Sequence, residues 1–333
     1  MPSVREGTTM IHTTPCDPAS LRVTVLEGGV SDEREVSLRS GKACAEALAG
    51  EGFAVEEVDT GAPDAVERIV ASRPDVVFIA LHGKDGEDGC VQGLCEILDV
   101  PYTGSGVLAS ALSMEKTLAK ETYRLHGVPT APWLKIIEKS DYSKNQIIKE
   151  VGERVVVKPA CEGSALGVRI VKNPDEVEDA VEEELGKYGE LVVERYIEGT
   201  EVTVGVLGAE EPEALPVIEI VPQLGGGFYD YEAKYAPGGS KHIIPARIGD
   251  ELTACCQELS VKAHEALGCY GVSRTDIIID KAGECWVLET NTIPGMTETS
   301  LLPHAAAKAG VGFGELCRIL VELALMRGRG QRR

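Results

Sequence analysis

Three oxygen-bearing side chains late in the chain, Asp276, Glu289 and Asn291, have the types and spacing to hold a cation. Around them run Arg274-Thr275-Asp276, the apolar Ile277-Ile278-Ile279, a turn through Ala282-Gly283, and Trp286 to Asn291. Two β-rich runs about a short Gly-containing turn read as a hairpin. With an even-numbered loop centred on Ala282-Gly283, Asp276 lies opposite Glu289. Strand alternation then sets Asp276, Glu289 and Asn291 on one face and Ile277, Ile279, Trp286 and Leu288 on the other. Like charges facing each other across strands are destabilising. A divalent cation removes that penalty, and an all-oxygen set suits Mg²⁺ better than zinc. A three-residue loop would turn the carboxylates to opposite faces. The competing reading is a solvated hairpin face with scattered acids.

The elements that position this hairpin need a sizeable chain. At 333 residues there is room for two or three domains with a substantial core. The net charge of −21 argues against nucleic-acid and anionic-membrane partners, though not against an anionic substrate in a local basic site. The ten cysteines are scattered apart from Cys255-Cys256, with no metal-type spacing and no secretory signal. They read as reduced thiols of a cytoplasmic protein. No apolar run reaches transmembrane length. Residues 1–20 are expected to be a disordered extension and Arg327 to Arg333 a frayed basic tail.

Arg22 to Leu26 reads as a buried strand, followed by Gly28-Gly29 and a helix with Asp32 and Glu35 at capping-box spacing. A strand from Val76 to Leu81 ends at His82-Gly83, and Val91, Leu94, Cys95 and Leu98 mark another helix. This is the pattern of an open parallel α/β domain, whose ligands bind beyond the carboxyl ends of the strands. Glu33 and His82 sit there; each also has a plain reading, as a helix-dipole carboxylate and a turn residue. A helix from Met114 to His126 leads into a middle section. Its strand Val155 to Lys158 precedes a Gly/Ser loop, Glu162 to Gly167, suited to cover phosphates, with Lys158 supplying a point charge. An ordinary hairpin is the alternative, and no Walker-type Gly-Lys-Ser/Thr follows. A helix opened by Asn173, Pro174 and Glu176 and a strand from Leu191 to Ile197 complete this section. Two further strands, Glu201 to Leu207 and Val217 to Val221, precede a long loop, Gly225 to Pro245. The loop carries Tyr229, Tyr231, Lys234, Tyr235, Lys241 and His242, and its length favours a functional lid. A helix with Leu252, Leu259, Ala263 and Leu267 inward stops at Gly268, before the hairpin.

Taken in order, these segments resemble the D-alanine–D-alanine ligases of the ATP-grasp superfamily from Val23 to about Met326. The resemblance rests on Gly28-Gly29 with Glu33 to Ser37, Ala80-Leu81-His82-Gly83 with Gly86 to Gly89, and Pro101 to Gly106 with Lys116. It continues through Lys158-Pro159 with Glu162-Gly163-Ser164, Tyr229 to Tyr235, and Asn291 to Met296. It implies an α/β, three-domain ATP-grasp fold: an N-terminal open parallel α/β domain (21–115), a central subdomain (116–198) and a C-terminal subdomain (199–326). ATP would lie between the last two. Lys116 and Lys158 would contact its phosphates, Glu194 to Ile197 its adenine and Glu201 its ribose. Asp276, Glu289 and Asn291 would hold two Mg²⁺ or Mn²⁺ ions. Glu33, with His82 nearby, would take the first D-alanine's ammonium; Lys234 and Ser300, with Leu301 beside them, would receive the second D-alanine. Ser164, Tyr235 and Glu33 would latch the lid, and Arg274 and the Gly295 N–H would face the oxyanion. A homodimer serving peptidoglycan precursor synthesis is also implied.

Two departures stand out: Ala165 replaces a serine many relatives have, and Ile293 stands where some members have serine. The residues before Val23 match nothing in the family, which leaves the translation start open. A D-alanine–D-lactate ligase is the nearest rival, but those enzymes lack the lid pair present here as Lys234-Tyr235. A non-catalytic nucleotide-binding protein would be expected to lose Arg274 or a metal ligand, and none is missing.

Overall fold

In a computed structural model, which describes residues 11–163, 166–223, 239–297 and 299–327, three sheets follow one another along the chain. The first is parallel, in the order β2-β1-β3, from β1 (Arg22–Glu27), β2 (Ala54–Asp59) and β3 (Val76–Ile79). Val23, Val25 and Leu26 of its central strand are fully buried. Helices α1 (Arg34–Gly50) and α2 (Ala65–Ser72) make the crossovers. The sequence reading passes over β2 and α2, because β2 is an edge strand on which only Val58 is fully buried. The expected capping box does not form: Glu33 takes the N-cap position without a side-chain cap bond. Ser31 does the local work, its hydroxyl accepting from the Glu33 N–H (3.2 Å) and donating to the His82 carbonyl (2.7 Å). That bond ties the start of α1 to the end of β3.

Helices α3 (Cys90–Ile97), α4 (Val107–Met114) and α5 (Lys116–Leu125) lead to the second sheet. It is antiparallel, in the order β4-β7-β5-β6, from β4 (Trp133–Ile136), β5 (Val155–Pro159), β6 (Arg169–Val171) and β7 (Leu191–Arg195). With α6 (Lys144–Glu150) and α7 (Val177–Tyr188) it buries a core of Ile136, Ile147, Val155, Val157, Val181 and Val193. The Asn173 side chain accepts from the Asp175 N–H, as its sequence position suggests, although the first turn, Pro174–Glu176, is 3₁₀.

The third sheet runs β11-β10-β8-β12-β13, with β9 on β8, and all its pairings are antiparallel. Its strands are β8 (Gly199–Gly208), β9 (Glu213–Ala214), β10 (Ile218–Pro222), β11 (Ser240–Ile243), β12 (Gly271–Asp280) and β13 (Cys285–Asn291). Strand β11 falls inside the segment expected to be one irregular loop; a four-residue edge strand after a polar stretch leaves little periodic signal. Helix α8 (Asp250–Leu267) packs on this sheet and ends at Gly268 in the left-handed conformation, as expected.

Two helices that the sequence reading does not identify, α9 (Leu301–Lys308) and α10 (Phe313–Arg327), close the chain. Leu316, Leu320 and Leu323 of α10 join one core with Val23 and Phe78 of the first sheet and Leu207 and Ile218 of the third. The first and third sheets are therefore bound into one hydrophobic unit. Residues 11–20, expected to be disordered, pack on α10: the Thr13 hydroxyl donates to the buried Glu322 carboxylate at 2.6 Å. Ile11 and Cys16 lean on the same core. Arg327, expected to begin a frayed tail, instead donates to the Gly104 carbonyl (3.1 Å) and the Tyr102 hydroxyl (3.2 Å). Its guanidinium stacks against the Tyr102 and Tyr270 rings. These partners are distant in sequence, so a composition reading of the basic end could not find them. Residues 1–10 and 328–333 lie outside the described residues. Arg327→Ala is expected to cost about 2 kcal/mol of stability through the lost stacking and hydrogen bonds. A urea midpoint unchanged from the parent would return Arg327 to the status of a tail residue.

Candidate active site

The hairpin of β12 and β13 reaches the expected pairing by an unexpected route. The Gly283 N–H bonds the Asp280 carbonyl and the Asp280 N–H bonds the Glu284 carbonyl, so the loop has three residues, Lys281 to Gly283. Gly283 has φ +86°, the left-handed residue such a loop requires. That loop alone would put Asp276 and Glu289 on opposite faces. A β-bulge at Leu288 inserts one residue and restores Asp276 opposite Glu289. The face assignment needs correcting on this account. Ile277 and Ile279 are buried against α8, as expected, but Val287 and Cys285 join them there. Leu288 lines the cleft beside Glu289, and Trp286, opposite Ile278, donates its indole N–H to Asp280.

Arg274 and Asp276 are two apart on β12 and form a bidentate ion pair, Nε to Oδ1 at 2.9 Å and Nη2 to Oδ2 at 2.8 Å. Thr203 of β8, a residue not read from the sequence, donates to Asp276 Oδ1 at 2.6 Å. The Asn291 amide donates to Oδ2 at 3.5 Å, which fixes which end of that amide is the acceptor. The donor set is two carboxylates and an amide oxygen, without thiol or imidazole, and fits a hard divalent cation.

Asp276 and Glu289 line the larger of two cavities, about 450 Å³, between the second and third sheets. Lys158, Glu194 and Ile197 bound it on one side, Glu201, Ile278 and Leu288 on the other, and Lys116 stands at its end. Lys116 Nζ donates to the Glu162 carbonyl at the base of the Gly/Ser loop. Glu194, expected beside adenine, lines this cavity, and its carboxylate pairs with Lys158 (2.6 Å) and Lys120 (2.7 Å), all three being buried. Burial alone would raise the Glu194 carboxyl, but the two ammoniums outweigh it and hold it below the usual range. Lys120 is another residue missed from sequence; one helical turn after Lys116 on α5, it carried no separate signal.

The second cavity, about 260 Å³, gathers Glu33, His82, Arg274, Gly295, Ser300 and Leu301 from four separate parts of the chain. Glu33 is cradled by glycines: a Cβ on Gly83 or Gly163 would come within 2.9 or 2.7 Å of its Oε2. Gly163 belongs to the loop after β5, so that loop already reaches the N-terminal sheet. His82 pairs its Nε2 with the Ser40 hydroxyl at 3.1 Å and bonds the Ile293 backbone. Burial lowers its pKa, against the opposing pull of Glu33, which favours a neutral imidazole. Ser300 takes the N-cap position of α9 without a side-chain cap bond, its hydroxyl accepting from the Thr297 N–H instead, and the helix N-terminus beside it favours a carboxylate. Glu87 lies in the Gly86-to-Gly89 segment and carries no separate signal in the sequence. It accepts from the Gly83 N–H at 2.8 Å. Burial first, and then the neighbouring Glu33, push its carboxyl up to about 8. A small pocket of about 30 Å³ joins the cavities, sharing Lys116, Glu162 and Glu289 with the larger and Glu87, Gly163 and Asn291 with the smaller. Ser164, Lys234 and Tyr235, the expected lid residues, lie outside the described residues.

Two cavities joined at a basic and acidic seam are what a chain with this sequence pattern should possess, and comparison with known proteins agrees. A family model described as "D-ala D-ala ligase C-terminus" matches residues 123–322, and one described as "D-ala D-ala ligase N-terminus" matches 59–105. A D-alanine--D-alanine ligase of Pelotomaculum thermopropionicum is 47% identical over 313 residues, covering 92% of this chain and 97% of its own. One from Methylobacterium radiotolerans is 50% identical over 311 residues, covering 91% and 98%. The crystal structure of D-alanine--D-alanine ligase from Bacillus anthracis complexed with ATP superposes with a TM-score of 0.81 at 31% identity. It covers 94% of this chain and 100% of that one. With the ATP-grasp architecture and both halves of the sequence accounted for, the chain belongs to the D-alanine–D-alanine ligase family.

Proposed function

We propose that this chain joins two D-alanine molecules into D-alanyl-D-alanine, converting ATP to ADP and phosphate. The observation that carries this reading is the seam between the cavities, where Lys116 and Glu289 of the larger meet Asn291 and Glu87 of the smaller. The triphosphate lies in the larger cavity, between the second and third sheets, with Lys116 and Lys158 on its phosphates, Ile197 beside adenine and Glu201 at the ribose. The first D-alanine lies in the smaller, its ammonium on Glu33 near His82. Its carboxylate oxygen attacks the γ-phosphorus at the seam and ADP leaves, giving an acyl phosphate. Asp276, Glu289 and Asn291 would hold Mg²⁺ or Mn²⁺, whose charge would offset that of the phosphates. The neutral amine of the second D-alanine then attacks the acyl carbon and phosphate departs. Arg274, held flat by Asp276, and the Gly295 N–H face the tetrahedral oxygen; such a donor is worth roughly 3–4 kcal/mol of barrier. Ser300 and Leu301 at the start of α9, with Lys234, receive the second carboxylate. Ser164 and Tyr235 complete a latch with Glu33 that keeps water from the acyl phosphate.

Two supporting features concern setting and assembly. All ten cysteines are free, which suits a reducing cytoplasm. Among the described residues, no helix is long and apolar enough to cross a membrane. Ile97, Leu108 and Leu118 are exposed on the successive helices α3, α4 and α5, a surface suited to a homodimer. Leu108→Asp is expected to shift the mass seen by light scattering from dimer to monomer; a parent that is already monomeric would remove the dimer from the reading.

The direct test is ADP release with ATP, Mg²⁺ and D-alanine, then with D-lactate in competition from about pH 6 to 9, identifying products by mass. D-alanyl-D-alanine should dominate throughout. A depsipeptide at low pH would move the chain to the D-lactate ligases, and D-alanine-independent ADP release would exclude the proposal. For the metal, Glu289→Gln should fold as the parent does and lose turnover by roughly a hundredfold or more at limiting Mg²⁺. Near-parental turnover there would refute the ligand assignment.

A further inference from the structure

Lys158 has a second partner, through Glu194, that the ligase reading does not use. Lys158 Nζ lies 2.6 Å from Glu194 Oε1, and Lys120 Nζ lies 2.7 Å from Glu194 Oε2. The Lys120 side chain is only 1% exposed and does not line the cavity, whereas Lys158 and Glu194 do. Lys120 is fixed from behind by the Thr130 hydroxyl (2.6 Å) and stands 5.4 Å from the centre of the Trp133 ring. Its anchor belongs to the loop before β4, and Glu194 lies on β7, the strand between β4 and β5. The three groups thus run from the fully buried Lys120 through Glu194 to Lys158 at the cavity wall.

The arrangement has an electrostatic consequence. A carboxylate in contact with Lys158 cancels that lysine's attraction for an anion, and in a buried site the cancellation is nearly complete. Burying a second ammonium against the other oxygen offsets the carboxylate. The cluster then keeps one net positive charge, presented to the cavity by Lys158. We propose that Lys120 and Glu194 are positioning residues: Glu194 holds Lys158 in place, and Lys120 neutralises Glu194 so that Lys158 still acts as a full cation toward the polyphosphate. Lys120 touches no substrate; it acts through Glu194. The inference rests on the reading that Lys158 contacts ATP phosphates.

The experiment compares four variants by steady-state kinetics with ATP and D-alanine, with melting temperature measured alongside. Lys158→Met should raise the KM for ATP; if it does not, the phosphate reading itself fails, whatever Lys120 does. Lys120→Met should raise the KM for ATP about tenfold or more while the KM for D-alanine stays within about twofold. Combining Lys120→Met with Glu194→Gln removes one charge of each sign, and should return the KM for ATP toward the parent value. A role in packing alone predicts no such rescue, since the double variant has lost more native contacts. Lys158→Met raised with Lys120→Met unchanged, or a double variant no better than Lys120→Met, overturns the positioning role. Should Lys120→Met fail to fold, the remaining order decides. Glu194→Gln alone should bind ATP more tightly than the parent, and the double variant about as the parent does; any other order overturns the inference.

Discussion

A single extra residue in β13 makes the metal-binding face possible. The three-residue loop at Lys281 to Gly283 suits the hairpin's twist, but it sets the two strands one residue out of the register the site needs. Without the bulge at Leu288, Glu289 would point into the core against α8, and Asp276 would face the cleft alone. A carboxylate among Val287, Cys285 and Val202 would be too costly to keep charged. The bulge sends Val287 inward and Glu289, two residues on, outward, so one irregularity serves both the core and the site. Bulges gather beside active sites for this reason: they re-aim a side chain without breaking the sheet.

Arg274 and Asp276 extend the same economy along the neighbouring strand. The pair is bidentate, and Thr203 completes the bonding of Asp276 Oδ1 from the far side. Fixing a guanidinium in this way removes most of the rotamer freedom it would otherwise lose on meeting a developing oxyanion. Four donors thus surround the carboxylate, and the long 3.5 Å contact from the Asn291 amide is the one a cation on Oδ2 would replace. Replacing the aspartate would therefore disturb two functions at once, and an activity loss there could not be assigned to metal binding alone. Glu289, on the partner strand, separates the two.

The sequence was legible where chemistry and local signals coincide. The Gly turns after β1 and β3 and the Gly268 helix stop could be read from neighbours in the chain. The pairing of Asp276 with Glu289 is expected from an even-numbered loop and is reached instead through the bulge. What escaped depends on contacts distant in sequence. Strand β2 has one fully buried residue, and β11 is short and at an edge, so neither has a marked period. Arg327 reads as a tail until Tyr102 and Tyr270 are seen around it. Lys120 looks like any helical lysine until Glu194 is found between it and Lys158. The faces of Trp286 and Leu288 were misread for a different reason: alternation holds only in an unbroken strand, and no residue type there announces the bulge.

The carboxyl groups around the smaller cavity divide by environment rather than by type. Glu33 sits against two glycines whose missing side chains leave room for its oxygens. Glu87, a short distance away, accepts only the Gly83 N–H among the described partners, and burial together with Glu33 carries its carboxyl up to about 8. At neutral pH it is therefore mostly protonated, and the cavity avoids two adjacent negative charges. Arrival of an ammonium or a divalent cation at the seam would stabilise its charged form and release the proton. Glu87 lines both the smaller cavity and the seam, so its charge is coupled to occupancy of each. A protonated Glu87 therefore spares the small cavity a second negative charge beside Glu33 while both are buried together.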